Sequence, residues 1–405
     1  MKILNISNMP IWLWGEGKGI PSIFYPQREF AKKGFEVHFL CPKKEREPNY
    51  SCVEGVHIYR FNFPFNFRKN IYIQNRIKES LLRNLNWLFF QAFGFFCSIK
   101  LAKKIKPDVI YAHSLTSAFI SYLVSKIFKT RLLIRVYGTR QLYWIYNNFF
   151  FRLKEFRDYL TFKIPADYFI ITNDGNFGNL LARRMLVPEA KIKYWRNGID
   201  GDFFKEEPQA KEGVCRLLKI NSSFKIITST CRLIPDYGVD KLIYSLVHLA
   251  KKRKDWVCLI CGSGPMEKEL KELIKKNNLS EKVFFLGIVD RKTIKKILYA
   301  SDIFVLLAKY HNCTNTMWEA MATGRCILTT KTEAIKEILK DGKEAVLVSP
   351  DEFEAIPEVL EELLDNEELR EKLGKNARKR AEEILDTWEE RTEKEIALLE
   401  NLVGR

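Results

Sequence analysis

The sequence of 405 residues contains no run approaching the roughly 20 consecutive apolar residues that a membrane-spanning helix needs, which excludes a protein of several spans. It contains no low-complexity tract and no short-period repeat. With 46% apolar and 29% charged residues it is neither disordered, collagen-like nor fibrous. Paired cysteine spacing is also lacking. The nine cysteines are odd in number and irregularly placed. The one close pair, Cys258 and Cys261 in WVCLICGSG, has no second pair or histidine cluster to complete a zinc site. Both read as buried residues of a strand running into a glycine turn, and no metal site is expected. The N-terminal MKILNISNMP lacks the long apolar core of a signal peptide. Free thiols fit a reducing compartment, so a cytoplasmic location is expected.

What is present is an uneven charge. Lys and Arg number 67 against 50 Asp and Glu, a net +17. Residues 1–200 hold 32 basic and 14 acidic residues, +18, which leaves 35 and 36, or −1, for residues 201–405. Of the 53 aromatic residues, 39 lie in 1–200. A basic, aromatic half points to an anionic partner. Nucleic acid and a membrane surface both qualify by charge, but none of the usual nucleic-acid recognition motifs is found, so no nucleic acid is expected.

Along the chain, short apolar strands alternate with helical stretches. KILNIS, FEVHFLCP, PDVIYAHS, RLLIRVYGT and ADYFIITN read as strands of a first unit, with Gly34 as a helix C-cap before the second of them. The pattern restarts after NGIDGDFF with FKIITSTCRL, WVCLICGSG, VFFLG, DIFVLLA, CILTT and AVLV. Near-continuous apolar strands separated by helices indicate buried parallel sheets. The expected fold is α/β, with two Rossmann-like domains in tandem: 1–200, and 201–387, with a final charged amphipathic helix, 388–405, packing back on the first. The Lys/Glu run from 361 to 395 reads as a solvated helical face.

In AKYHNCTNTMWEAMATGRCILTT (308–330) a strand ends at Ala308, a polar loop follows, and a helix begins near Thr314–Thr316. Such a helix start presents unpaired amides and a positive dipole end to a phosphate. Asn315 and Thr316 add side-chain donors. Glu319, one turn further in, is placed to accept from ribose hydroxyls, as acidic residues do in dinucleotide-binding folds.

NTMWEAMATG resembles the nucleotide-sugar motif of retaining GT-B glycosyltransferases, family 4 (glycosyltransferase group 1). STCRLIPDYGVDKLI, CGSGPMEKEL, YWRNGID, PDVIYAHS and AKKGFEVHFL resemble further segments of that family in the same order. The resemblance implies two Rossmann-like domains facing across a cleft. The C-terminal domain would hold a nucleotide-diphosphate sugar, the N-terminal domain an acceptor, and transfer would occur in the cleft with retention, without a metal or other cofactor. It implies that Glu319 holds the ribose and that Arg232 stabilises the leaving diphosphate, electrostatic catalysis by a fixed cation. His113 would reach the sugar near the reaction centre. Gly262 and Gly264 would form the turn beside the nucleotide, and Gly17, Gly19, His311, Asn312, Asn315 and Thr316 complete the expected donor set.

The sequence departs from the family pattern at several positions. His311 stands where the first Glu of a two-Glu motif is expected, and Tyr237 stands where a diphosphate Lys is expected. The N-terminal double glycine is reduced to Gly15, Gly17 and Gly19, and Tyr137-Gly138 replaces a His-Gly. Imidazole can still hydrogen-bond a hydroxyl, and Lys309 is a candidate for the missing charge. Two readings follow: an enzyme with altered donor recognition, or a non-catalytic GT-B protein that binds nucleotide or glycan as a partner subunit.

Two stretches carry the aromatic charge of the first half. Residues 61–100 read as an aromatic-rich helical stretch whose apolar part, 85–99, is too short to span a bilayer; 140–163 has similar character. Cations for anionic head groups, with rings for the acyl boundary, suit interfacial binding. The expectation is a monotopic contact at the inner face of the membrane serving a glycan or lipid-linked acceptor. The alternative is that 85–99 packs in the core.

Overall fold

A computed structural model describes residues 1–9, 20–44, 46–64, 76–139, 147–149, 156–310 and 313–404, without the side chains of 76–81, 83, 157 and 158. The chain forms two compact units, Met1–Gly198 with Trp388–Arg405, and Ile199–Thr387.

The first unit is built on an eight-stranded sheet ordered β3-β4-β2-β1-β5-β6-β7-β8. Its strands are β1 (Lys2–Ser7), β2 (Glu36–Pro42), β3 (Tyr50–Val53), β4 (Val56–Phe61), β5 (Val109–His113), β6 (Arg131–Val136), β7 (Tyr168–Thr172) and β8 (Ile192–Trp195). All neighbouring strands are parallel except the β3–β4 hairpin. Every residue of β5 is buried, as a parallel strand covered on both faces requires. One face packs on the helices Arg76–Ile105 and Leu115–Phe128, the other on Pro21–Lys32 and Trp388–Val403. Gly34, at φ +84, ends the first helix: its amide bonds Ala31 O and that of Phe35 bonds Phe30 O. This left-handed closure is one that glycine adopts without steric cost.

Three expectations are corrected here. Phe61 ends β4, so the stretch read as helical from 61 starts on a strand; the helix described within it is Arg76–Ile105. Within that helix Asn84–Ile105, 22 residues, is long and apolar enough by composition to cross a membrane, and 33% of its most apolar window is buried. Asn86 and Gln91 interrupt the apolar run without taking the stretch below that composition. Its C-terminal part is core, with Leu101, Ala102 and Ile105 buried. Finally, the solvated reading of 361–395 fails at Arg391 and Glu395, each 1% exposed. The stretch 140–163 is described only in part, with a helix at Phe156–Thr161.

The second unit carries a parallel six-stranded sheet ordered β11-β10-β9-β12-β13-β14. Its strands are β9 (Lys225–Thr230), β10 (Trp256–Cys261), β11 (Val283–Gly287), β12 (Ile303–Leu306), β13 (Cys326–Thr330) and β14 (Val346–Val348). Cys258 and Cys261 lie buried in β10, and burial pushes the Cys261 thiol up to about 12, as befits core residues. In both units the strand order reverses beside the first strand, between β1 and β5 and between β9 and β12. Ligands of open α/β sheets bind outside the carboxyl ends of the strands at such a reversal.

Candidate donor site and the buried centre of the first unit

The reversal in the second unit gathers most of the expected donor residues. After β9 the chain runs on beside the segment after β10, extending their parallel pairing: the amide of Cys231 bonds Cys261 O (3.0 Å) and that of Leu233 bonds Ser263 O (3.1 Å). Two glycines make this approach feasible. A Cβ on Gly262, at φ +140, would stand 1.8 Å from Cys231 O, and one on Gly264 would stand 2.3 Å from Leu233 O. Gly262 and Gly264 therefore shape the loop that presents Arg232. The Arg232 side chain is exposed, its guanidinium 5.6 Å from the Tyr237 ring centre. Tyr237 is buried in the turn Pro235–Tyr237. Lys309, exposed, donates its amide to Asp236 O (2.9 Å), which places its backbone beside the same turn.

The helix Asn315–Ala322 follows β12. Its N-cap, Thr314, makes no side-chain cap, and its first turn carries no acidic residue. The positive end of this eight-residue helix is thus not neutralised by its own side chains. Thr314 and Thr316 hydroxyls lie 3.0 Å apart. Buried Met317, Trp318, Ala320 and Met321 anchor the helix. Glu319 is 2% exposed. Its Oε1 accepts from Arg291 Nη2 at 2.9 Å, while Oε2 is buried without a hydrogen-bond partner. Burial raises its carboxyl above the ordinary range, opposed by the Arg291 charge. Arg291, 28 positions away, has no motif to announce it; only helix packing brings it here. Gly17, Gly19, His311 and Asn312 lie outside the described residues.

In the first unit, His113 ends β5 at the reversal, paired with Ser7 of β1. It is 1% exposed. Asn5 donates Nδ2 to His38 O (3.1 Å), so its Oδ1 is left to accept from His113 Nε2 (2.8 Å). Nδ1 then accepts from the Tyr137 hydroxyl (2.6 Å). This assigns the neutral Nε2–H tautomer. Burial, then the Arg135 charge, push its pKa down to about 3. Both ring nitrogens of His113, the residue expected to reach the sugar, are engaged within the unit. Beyond it, Ser114 adopts φ 95 and ψ 159, a conformation otherwise kept for glycine, with its hydroxyl donated to Asn8 Oδ1 (2.6 Å). Beside Tyr137 lies a buried charge cluster. Arg135 Nη1 bonds Glu395 Oε1; Arg391 Nη2 lies 2.9 Å from the same oxygen, and Tyr111 donates to Oε2 at 2.8 Å.

Each sheet thus has the strand-order reversal of a nucleotide-binding α/β unit, and the second presents a cation, a helix start with no acidic residue in its first turn and a buried carboxylate at its carboxyl edge. Residues 216–380 match the family described as Glycosyl transferases group 1, and residues 27–203 match Glycosyltransferase Family 4. The chain belongs to the GT-B-fold glycosyltransferases of family 4, group 1, and is a hexosyltransferase-type enzyme. It is 22% identical over 285 residues to alpha-D-kanosaminyltransferase of Streptomyces kanamyceticus, covering 68% of this chain and 73% of the relative. In structure it is similar to sucrose-phosphate synthase from Thermosynechococcus elongatus, with a TM-score of 0.76, 16% identity and coverage of 100% and 99% of the two chains. It is similar also to Anabaena HepE in complex with UDP-glucose, with a TM-score of 0.73, 14% identity and coverage of 98% and 99%.

Proposed function

We propose that the protein moves a sugar from a nucleotide-diphosphate sugar to a glycan or lipid-linked acceptor, with retention at the anomeric carbon and without a metal or other cofactor. The observation that carries this reading is the joint placement of Arg232, the Asn315–Thr316 helix start and Glu319 at the carboxyl edge of the second sheet. A helix start and an exposed guanidinium suit a diphosphate; a buried carboxylate suits a ribose diol. The complex of HepE with UDP-glucose supports the donor class. In the transfer step the bond from the anomeric carbon to the diphosphate breaks, and negative charge grows on the departing phosphate. Arg232 offsets that charge without needing a proton. Asn315 and Thr316 orient the phosphates, and Glu319 fixes the nucleoside. His311, Asn312, Gly17 and Gly19 remain assigned to donor binding by the family pattern. His113, on the acceptor-binding unit and held by Asn5 and Tyr137, is assigned by the family pattern as the catalytic residue that reaches the sugar near the reaction centre.

The acceptor reading draws on the helical face of the first unit. Helix Arg76–Ile105 packs on Leu115–Phe128, which packs on Phe156–Thr161. Phe93, Phe96 (72% exposed), Phe119, Ile127 and Leu160 are exposed there, with Lys100, Lys103 and Lys126 on the same helices and Lys129 capping the second. Rings flanked by cations suit an anionic bilayer. The assigned location is the cytoplasm, at the inner membrane face. Incubation with a panel of nucleotide sugars tests the reading: release or transfer of sugar supports it, and its absence with every donor removes it. Co-sedimentation with phosphatidylglycerol vesicles, weakening as salt rises, tests the surface; no binding to anionic vesicles removes it.

A further inference from the structure

A buried carboxylate needs a partner to stay charged and aimed. Glu319 is almost fully buried, and the group paired with it is Arg291. Arg291 opens the helix Arg291–Ala300, whose start is fixed by Asp290 accepting from the Thr293 amide at 2.8 Å. Its guanidinium lies 5.1 Å from the Phe203 ring centre. Phe203 belongs to the turn Gly201–Phe204 and gives its carbonyl to the Tyr299 hydroxyl at 2.8 Å, and Tyr299 is on the same helix as Arg291. The guanidinium is therefore held on a ring at one side and by a carboxylate at another. Oε1 of Glu319 is occupied by Arg291, and Oε2 is buried without a partner. An acceptor in that state is complete only when a donor arrives.

We propose that Arg291 is a positioning residue: it occupies Oε1 of Glu319 and leaves Oε2 to accept from the vicinal diol of a nucleoside ribose. This rests on the donor reading above and adds the residue that makes Glu319 selective. A Lys would supply a point charge without the planar fork, so it should restore the function only in part.

The test is calorimetric titration of the full chain with uridine, guanosine and adenosine diphosphates and their 2′,3′-dideoxy counterparts. For the base that binds, the wild type should prefer the ribose form by about tenfold or more, as expected of hydrogen bonds to a charged group. Arg291→Gln should bring that ratio close to one while leaving the dideoxy affinity unchanged; Arg291→Lys should recover part of it. Glu319→Gln should lose the same ratio, and the double variant should lose no more. Equal weakening of both ligands in Arg291→Gln, the result of a merely structural role, overturns the inference, as does an unchanged ratio. A wild type that binds nucleotide without a ribose preference overturns it while leaving the donor reading intact. A wild type that binds none of these diphosphates and no member of the nucleotide-sugar panel overturns both.

Discussion

Arg135 and Glu395 are bonded in the interior of the first unit although 260 positions separate them. With Arg391 and Tyr111 they lock the last helix onto the sheet face beneath His113 and Tyr137. Burial alone would raise the Glu395 carboxyl, but attraction to Arg135 and Arg391 and the Tyr111 bond hold it below the ordinary value. Replacing Glu395 by Gln leaves two buried guanidinium groups without a counter-charge, a change that costs about 3–5 kcal/mol. Urea unfolding should show a loss of that size. Because the folded pKa is depressed, the contribution is present above the unfolded value and fades as pH falls through the folded one.

His113 predicts a second pH effect. Its folded pKa is about 3, against 6.5 unfolded. Below 6.5 the unfolded state gains a proton that the folded state refuses, so stability drains as pH falls from 6.5 toward 3. Asp174 acts with opposite sign, because burial raises its carboxyl to about 6, so its contribution is present at low pH and lost as pH rises through 6. The effect is therefore read as a difference. His113→Asn should flatten the pH dependence of unfolding between 3 and 6.5 relative to wild type.

Gly262 carries a sharper structural demand. Gly262→Ala puts a Cβ into Cys231 O and strains a left-handed backbone. A melting-curve measurement should show destabilisation of about 1–3 kcal/mol. Nucleotide affinity should fall with it, because the displaced loop carries Arg232.

Arg232 should behave differently. Its side chain is exposed, so Arg232→Ala should leave the melting temperature nearly unchanged. Steady-state kinetics should show kcat reduced about 10²–10³-fold, the scale seen when one electrostatic contact to developing charge is removed. A variant that loses stability and keeps its rate contradicts the assigned role.

The parallel strands were legible because burial on both faces writes continuous apolar runs such as VIYAH and CILTT. The β3–β4 hairpin was not read, although Glu54-Gly55, both left-handed, join two alternating strands. Its outer strand is half exposed and looks like polar loop. β8 was missed for the same reason, with lysine and aromatics alternating in IKYW. Arg391 and Glu395 look solvated in the sequence because an i,i+4 charge pair has the same spacing whether it faces water or a second buried arginine. Arg232, Gly262, Gly264, Asn315, Thr316 and Glu319 are singled out by the motif, and all lie at or just beyond the carboxyl ends of the second sheet's strands. Arg291 and the Asn5–His113–Tyr137 chain depend on tertiary packing and left no local trace.

The most direct measurement is a thermal-shift titration with nucleoside diphosphates and their sugars, on the wild type and on Glu319→Ala. A ligand that binds the native state alone raises the melting point with its concentration. At least one nucleotide-diphosphate sugar should raise that of the wild type, and the same ligand should shift Glu319→Ala far less. No shift of the wild type by any of them, or equal shifts of both proteins, would contradict the placement of the donor at the carboxyl edge of the second sheet.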